Sequence, residues 1–242
     1  MRTPLKALDK TRILSQAEVA NVVADLKRRR RSLNTRQNLI VFRLSACCGL
    51  RVSEIAGLRL CDVDANTVHP RILIREASAK RWRPRIVPLW WDWETLADLD
   101  AWKQERIRSG AQLGDPLVCS QHKDTRGKTL SLRNLQHRWM VAIKVLGRDR
   151  VKRLSIHKGR HSFCFHALAA GRTITEVRDA AGHAKMTTTY VYLHSLNGDA
   201  RQPRGNEKER PLRFLLPSPL AAEGLGVRGA NAPEAELPDS PL

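Results

Sequence analysis

The tyrosines of this chain are informative because there are only two, Tyr190 and Tyr192, two residues apart. Short motifs containing arginine or histidine precede them, at Arg51, His157, Arg160 and His183. A phenolate oxygen can attack phosphorus, and a guanidinium group can hold two phosphoryl oxygens at once. Taken alone, a tyrosine is more often a half-buried aromatic side chain on a helix. The combination indicates chemistry on a phosphodiester in which cationic side chains, rather than a metal ion, stabilise the negative charge on the phosphoryl oxygens.

The positive charge is concentrated in the first 197 residues. The 242 residues carry a formal net charge of +19. Residues 198–242 contain six basic and seven acidic side chains, so residues 1–197 contain 37 basic and 17 acidic ones, a net charge of +20. Lysine and arginine that neutralise phosphates release counterions, which favours a polyanionic partner. Double-stranded DNA is favoured over an anionic membrane surface, because the chain has no long basic amphipathic stripe and no lipidation signal.

Other features narrow the class of protein. No apolar run approaches the ~20 residues of a membrane span, and the first twelve residues lack the apolar stretch of a signal peptide. The five cysteines form an odd set without a Cys-x-x-Cys pair, which fits a reducing compartment. No histidine and cysteine cluster has the spacing of zinc ligands. We therefore expect a cytoplasmic, nucleoid-associated protein without a metal or other cofactor.

Helices dominate the predicted secondary structure. Ser15 and Glu18 form a capping box at the start of the first helix. Apolar spacing predicts further helices at 35–48, 53–58, 91–108, 132–146, 157–170, 173–181 and 186–194. Segments 67–77 and 85–89 are rich in β-branched residues and predict strands, with Lys80 between them. The predicted fold class is mainly α (α+β), with a small antiparallel sheet whose hairpin carries Lys80.

The chain divides into three parts by composition. We expect residues 1–13 to be an N-terminal lead and residues 14–197 to form the folded domain. Residues 198–242 contain seven of the twelve prolines and alternate small, polar and charged residues. That composition predicts a disordered tail.

The motifs, taken in order, resemble those of one family. The run at 49–58, Gly-Leu-Arg-Val-Ser-Glu-Ile-Ala-Gly-Leu, is similar to the first-arginine motif of the tyrosine recombinases, the phage integrase family that includes the Xer-type enzymes. The run at 79–89 resembles the family's lysine hairpin, and 157–163 resembles its His-x-x-Arg box. Gly182 and His183 resemble its Gly-His pair, and Tyr192 follows nine residues later. Each motif is weak alone, but all of them in order over about 14–194 are a strong signal.

The resemblance implies the catalytic domain of such an enzyme and assigns its site. The implied catalytic residues are Arg51, Lys80, His157, Arg160, His183 and Tyr192, with Glu54 in support. Tyr192 is the implied nucleophile, which expels a 5′-hydroxyl and leaves a 3′-phosphotyrosyl link. The two arginines would bind the nonbridging oxygens, and His183 would hydrogen-bond the phosphoryl group. His157 is the candidate proton acceptor, and Lys80 would protonate the leaving oxygen.

Several of these residues also have plainer interpretations. Lys80 lies among arginines, so its lesser alternative is one more phosphate-contacting cation. Arg51 and Glu54 stand three residues apart, the spacing of an ion pair on a helix surface. His161 and His194 are interpreted as structural or phosphate-contacting side chains rather than catalytic ones.

The sequence departs from the family pattern at three places. Gly159 replaces the usual leucine before the second arginine, and two alanines replace the usual bulky pair before Gly182. Both changes predict less packing beneath the site and a looser site. Only thirteen residues precede the first predicted helix, where family members usually carry a separate core-binding domain.

The resulting functional expectation has three forms. The first is a site-specific recombinase or integrase that needs neither metal nor ATP. It would act on double-stranded DNA as a dimer or tetramer, alone or with a partner recombinase. The main alternative is a DNA-binding remnant of such an enzyme that no longer recombines because it lacks the core-binding domain. The third form relaxes supercoils by the same chemistry without strand exchange.

The charge of residues 1–197 predicts that affinity for duplex DNA falls steeply with salt. Each phosphate neutralised contributes about −0.9 to the slope of log K against log salt concentration. Fluorescence anisotropy of a labelled duplex, measured from low to physiological salt, gives that slope. A salt-independent affinity, or tighter binding to anionic lipid vesicles than to the duplex, would contradict the assignment of DNA as the partner.

Overall fold

The fold is mainly helical with a small antiparallel sheet, which confirms the predicted fold class. The computed structural model describes residues 9–75, 84–89 and 93–197. Lys80, the first eight residues of the predicted lead and the predicted tail at 198–242 lie outside the described residues. Within the described ranges, none of the helices is long and apolar enough to cross a membrane.

The helices of the described ranges follow the predicted pattern closely. They are α1 (Gln16–Arg28), α2 (Leu33–Ala46), α3 (Val52–Gly57), α4 (Trp93–Arg108), α5 (Leu132–Ala142), α6 (Arg148–Arg153), α7 (Ile156–Ala169), α8 (Ile174–Ala181) and α9 (Met186–Asn197). The predicted helix at 132–146 is shorter than expected, because its last turn is the 3₁₀ segment Ile143–Leu146. Helix α6 is an addition that the apolar pattern did not predict.

Helix α1 begins at the predicted capping box. The Ser15 hydroxyl accepts from the Glu18 backbone N–H at 3.1 Å, and the Glu18 carboxylate accepts from the Ser15 backbone N–H at 2.7 Å. Arg150 of α6 then donates to both oxygens of Glu18, at 2.5 and 2.9 Å. The capping box therefore also fixes α6 against the start of the chain.

Helix α2 is the central element, and it is buried on most of its sides. It packs against α1, α4, α5 and α7. Even its polar residues are buried with partners: the Gln37 amide exchanges two hydrogen bonds with the Cys119 backbone, at 2.9 and 3.0 Å, and Arg43 donates to Asp98 at 2.8 Å. The helix ends at Ala46, and Gly49 turns the chain with φ of +69°. That turn places Arg51 just beyond the end of α2, on the side that faces α7.

The sheet has three antiparallel strands in the order β1 (Val63–Asp64), β2 (Arg71–Ile74) and β3 (Arg85–Pro88). Strand β3 confirms the prediction, but β2 is shorter than the predicted 67–77. Residues 66–69 form bends before Pro70, which has no N–H to donate to a ladder. The pair Ile72 and Val87 packs inward, so the sheet covers the core with one face.

Gly159 sits where two helices come into close contact, and this corrects the expectation of a loose site. A Cβ at Gly159 would lie 2.4 Å from the Trp139 ring and 2.4 Å from the Ser45 hydroxyl. Trp139 is fully buried and stacks on Phe42, with ring centroids 5.2 Å apart. The indole of α5 therefore fills the space that a side chain at position 159 would need.

We predict that Gly159→Ala destabilises the fold. The added methyl group overpacks a rigid contact, which costs about 1–3 kcal/mol and outweighs the higher helix propensity of alanine. Urea unfolding measures the change in the free energy of unfolding. The matched control is Gly114→Ala, because a Cβ there meets nothing within 4 Å; equal stability of the two variants would contradict the packing argument.

Candidate active site

Segments that are distant in sequence meet at the carboxyl end of α8. Ala180, Ala181 and Gly182 present three consecutive backbone carbonyls, and each accepts a hydrogen bond from a different arginine. Arg85 Nε donates to Ala180 O at 3.0 Å, Arg160 Nη2 donates to Ala181 O, and Arg51 Nη2 donates to Gly182 O at 2.7 Å. These carbonyls have no partner within the helix and lie at the negative end of its dipole, so cations stabilise them.

Gly182 is required at this point of the chain. Its φ of +64° and ψ of +47° are left-handed, a conformation that glycine adopts without steric cost. A Cβ at this position would also lie 2.9 Å from the Arg85 side chain. The glycine therefore ends α8 and leaves room for the arginine that caps it.

Glu54 is the buried anion of the cluster. It is 1 % exposed and accepts from Arg85 at 2.6 and 2.9 Å and from Arg51 at 3.0 Å. Its carboxylate also accepts from the Arg51 backbone N–H at 2.8 Å, which starts α3. Burial acts to raise the pKa of Glu54, but hydrogen bonds and charge from Arg85 and Arg51 outweigh it, so the pKa lies below its ordinary value. A buried carboxylate between two guanidinium groups excludes the surface ion pair that the spacing alone allowed.

The two predicted catalytic arginines lie in this cluster. Arg160 is 3 % exposed and donates to Gly49 O at 2.7 Å as well as to Ala181 O. Burial, and then the charge of Arg160, lowers the pKa of Arg51 to about 10. Burial also lowers the pKa of Arg160. Both groups remain cationic at neutral pH, and their proximity creates a site of concentrated positive charge.

His183 follows Gly182 directly and turns toward α9. Its Nδ1 lies 2.9 Å from the Thr189 hydroxyl, and its ring is parallel to that of Tyr192 with centroids 6.3 Å apart. Burial, followed by the charges of Arg160 and Arg51, lowers the pKa of His183 to about 3. The imidazole is therefore neutral at pH 7 and available as a hydrogen-bonding group.

The two tyrosines point in different directions, as their helical offset requires. Tyr192 is 3 % exposed and Tyr190 is 41 % exposed. The Tyr192 hydroxyl is in hydrogen-bonding contact with Nδ1 of His161 on α7, and Cys164 of the same helix is buried in the same core cluster as Tyr192. Burial raises the pKa of Tyr192 well above the ordinary value of a phenol.

His157 lies one helical turn before His161 on α7. The two imidazole rings meet edge to face with centroids 4.8 Å apart. Burial, and then the charge of Arg160, lowers the pKa of His157. His157 thus belongs to the site, while His161 is the histidine that touches the Tyr192 hydroxyl.

The structure brings together the predicted residues Arg51, Glu54, His157, Arg160, His183 and Tyr192. Lys80 lies outside the described residues, so its role stays a prediction. Sequence reasoning missed the contributions of Arg85, His161 and Cys164. Two signals in the sequence could have identified them. The first is Arg85 itself, which opens the run Arg-Ile-Val-Pro-Leu at 85–89. The second is the spacing of His157, His161 and Cys164, which places the three side chains on one helix face.

Comparison with known proteins agrees with this arrangement. The sequence model of the phage integrase family matches residues 12–198. A tyrosine recombinase XerC from Herpetosiphon aurantiacus is 32 % identical over 154 residues, which are 63 % of this chain and 46 % of that protein. The chain spans about half the length of the curated relatives it matches.

Two solved structures share the fold. The crystal structure of XerA recombinase superposes with a TM-score of 0.62 at 22 % identity, covering 84 % of this chain and 67 % of that one. The XerH site-specific recombinase bound to difH substrate superposes with a TM-score of 0.61 at 23 % identity, covering 81 % and 53 %. At this identity the likeness establishes the fold.

We predict that mild acid destabilises the folded chain through its buried neutral histidines. An unfolded histidine has a pKa of about 6.5, whereas burial lowers the pKa of His161 to about 4 and that of His183 to about 3. Between pH 6.5 and 4 the unfolded state binds more protons, so the free energy of unfolding falls as the pH falls. Urea unfolding at several pH values from 7.5 to 4.5 measures the slope.

Single substitutions assign the slope to particular histidines. His161→Asn should flatten it, because the variant has one fewer buried group to protonate on unfolding. His137→Asn is the matched control, since His137 is exposed on α5, and it should keep the wild-type slope. A free energy of unfolding that stays constant from pH 7 to 5 would show that the histidines are not buried in their neutral form.

Proposed function

The chain belongs to the phage integrase family, and on that premise we propose that it cuts and rejoins DNA through a 3′-phosphotyrosyl intermediate. The observation that carries the proposal is the convergence of Arg51 and Arg160, from motifs more than 100 residues apart, on the adjacent carbonyls of Gly182 and Ala181. The next residue, His183, has its ring parallel to that of the buried phenol, Tyr192. A fold that only bound DNA would have no need to bury these groups together, because phosphate contacts form on exposed surfaces. The remnant that binds DNA without cutting it is for this reason not favoured.

The proposed cleavage is a transesterification. The Tyr192 oxygen forms a bond to phosphorus, the bond from phosphorus to the 5′-oxygen breaks, and the proton of the phenol passes to a base in the protein. The phosphodiester energy is retained in the phosphotyrosyl link, so a 5′-hydroxyl from a second strand reverses the step without ATP. In this proposal Lys80 supplies the proton to the leaving 5′-oxygen.

Arg51 and Arg160 would stabilise the charge that develops on the nonbridging oxygens. A guanidinium group has five N–H donors, and the bonds of Arg160 to Gly49 O and Ala181 O occupy two of them. Those bonds fix the group in place before substrate arrives, which is what makes electrostatic stabilisation effective. His183, parallel to the Tyr192 ring, would hydrogen-bond the same phosphoryl group.

The proposed partner is double-stranded DNA. The net charge of +20 on residues 1–197 supports it, and the XerH recombinase of similar fold is bound to difH substrate in its solved complex. Strand exchange joins strands from two sites, so it requires at least two protomers. We propose a dimer or tetramer on DNA, of this chain alone or with a partner recombinase, acting in the cytoplasm at the nucleoid.

The test is a covalent adduct between the chain and DNA. Duplexes are first selected from a random library by binding to the wild-type chain, and a nick near the candidate phosphate then traps the cleaved product. Wild type and Tyr190→Phe should form an adduct that resists denaturation, and Tyr192→Phe should form none while keeping its affinity for the duplex. The phenylalanine substitution removes only the attacking oxygen, so the loss should exceed 10³-fold.

Tyr190→Phe is the matched control, because it makes the same change two residues away on the exposed face. An adduct that persists in Tyr192→Phe and disappears in Tyr190→Phe would assign the nucleophile to the other tyrosine. A wild-type chain that binds selected duplexes and never forms an adduct would overturn the proposed cleavage.

A further inference from the structure

We propose that Arg85 is a positioning residue of the proposed cleavage, which holds Arg51 in place through the carboxylate of Glu54; this inference rests on the proposed function. Arg85 opens β3, where its backbone pairs with Ile74 of β2. Its side chain leaves the sheet and is largely buried, with 11 % of its surface exposed. The guanidinium group therefore starts from a rigid strand, the kind of element that places a side chain precisely.

The carboxylate of Glu54 is shared equally between two arginines. Its Oε1 accepts from Arg85 Nη1 at 2.6 Å and from Arg51 Nη1 at 3.0 Å. Its Oε2 accepts from Arg85 Nη2 at 2.9 Å and from the Arg51 backbone N–H at 2.8 Å. A carboxylate has about four acceptor positions, and these four bonds fill them. The orientation of Glu54, and with it that of the Arg51 guanidinium group, therefore depends on the two-pronged contact of Arg85.

A second link between the two arginines runs along the end of α8. Arg85 Nε donates to Ala180 O at 3.0 Å, and Arg51 Nη2 donates to Gly182 O at 2.7 Å. The Arg85 side chain also packs against Gly182, where a Cβ would lie 2.9 Å from it. Arg85 thus fixes two of the groups to which the Arg51 side chain is bonded, the Glu54 carboxylate and the end of α8.

The hydrogen bonds of Arg85 argue against direct contact with the reacting phosphate. Each of its three nitrogens already donates to a protein oxygen. Breaking the bonds to Glu54 in order to bind a phosphate would take one of two guanidinium partners from a buried carboxylate, which is costly. Arg85 therefore acts through Glu54 rather than on the substrate.

The charge state of Glu54 gives this role a measurable signature. The charged groups that act on it are Arg85 from β3, Arg51 at the start of α3 and Arg160 from α7, while His183 beyond α8 is neutral at pH 7. Burial acts to raise the pKa of Glu54, and hydrogen bonding and charge from Arg85 are the largest influences that lower it. We expect burial to prevail without Arg85, so that the pKa of Glu54 rises and the carboxylate takes up a proton as the pH falls. A protonated Glu54 no longer balances the charge of Arg51.

The kinetic test uses Arg85→Met, which keeps an apolar stem and removes the guanidinium group. Single-turnover adduct formation is measured on a selected, nicked duplex at saturating protein. The rate at pH 7 should fall about 10²-fold, the loss that a displacement of about 1 Å at a reacting centre can cause. The deficit relative to wild type should grow as the pH falls and shrink as the pH rises and Glu54 ionises. Arg85→Lys should recover part of the rate, because it restores one charged donor beside Glu54.

A double variant shows whether Arg85 acts through Glu54. Glu54→Gln should slow adduct formation, and Arg85→Met added to it should slow the reaction little further, because the carboxylate that transmits the effect is already gone. The pH-dependent part of the deficit should vanish in the double variant, because a glutamine side chain does not ionise. Rate losses that multiply, or a pH-dependent deficit that survives in the double variant, would overturn the inference.

Binding measurements separate positioning from contact with the DNA backbone. The slope of log K against log salt concentration should be the same for Arg85→Met as for wild type. A contact with one phosphate contributes about −0.9 to that slope, so a loss of about that amount would assign Arg85 to the backbone and contradict the inference. The matched control is Arg71→Met on β2, which makes the same change at a side chain that is 53 % exposed and should keep the wild-type rate at saturating protein.

Urea unfolding of the same variants separates loss of position from loss of folding. Removing one partner of a buried ion pair lowers the free energy of unfolding, so Arg85→Met should be less stable than wild type. The double variant with Glu54→Gln removes the buried charge and should regain part of the loss. Arg85→Lys keeps a cation beside Glu54 and supports the same comparison with Glu54→Gln if Arg85→Met does not fold.

The outcomes for function and inference are distinct. A wild-type chain that forms no adduct overturns the proposed function, and the role of Arg85 with it. A wild-type chain that forms the adduct no faster than Arg85→Met overturns the inference alone.

Discussion

The arrangement of the site depends on the carboxyl end of α8, where three successive backbone carbonyls are each held by an arginine from elsewhere in the chain. Arg51 comes from the turn after α2, Arg85 from the sheet and Arg160 from α7. The same bonds that satisfy the helix end also bring the sheet and two helices together. Helix α9 begins five residues after α8 ends. The arginine–carbonyl hydrogen bonds at the end of α8 therefore also determine where the Tyr192 phenol of α9 lies. The hydrogen bonds that hold these elements together are therefore the same ones that position the candidate catalytic groups.

The charges of that set are not balanced among the described residues. Three guanidinium groups lie in this cluster with a single carboxylate, that of Glu54, which bonds two of them, Arg51 and Arg85. All four groups lie largely out of water. Uncompensated buried charge is costly. Burial, and then the charges of the neighbouring arginines, lower the pKa values of Arg51, His157 and His183. An anion bound between the arginines would relieve this repulsion. The fold thus maintains, at a cost in stability, a site whose charge favours binding of an anion.

Local sequence patterns predict much of this architecture. The capping box at Ser15, the helix-ending Gly182 and the clustered motifs each follow from short-range rules, and the structure agrees with them. What local patterns cannot supply is the contact between elements. Nothing near Gly159 indicates that Trp139 occupies the adjacent space, because the indole arrives from α5. For the same reason the spacing of His157 and His161 identifies one helix face but not which ring meets Tyr192, since that depends on how α9 packs on α7.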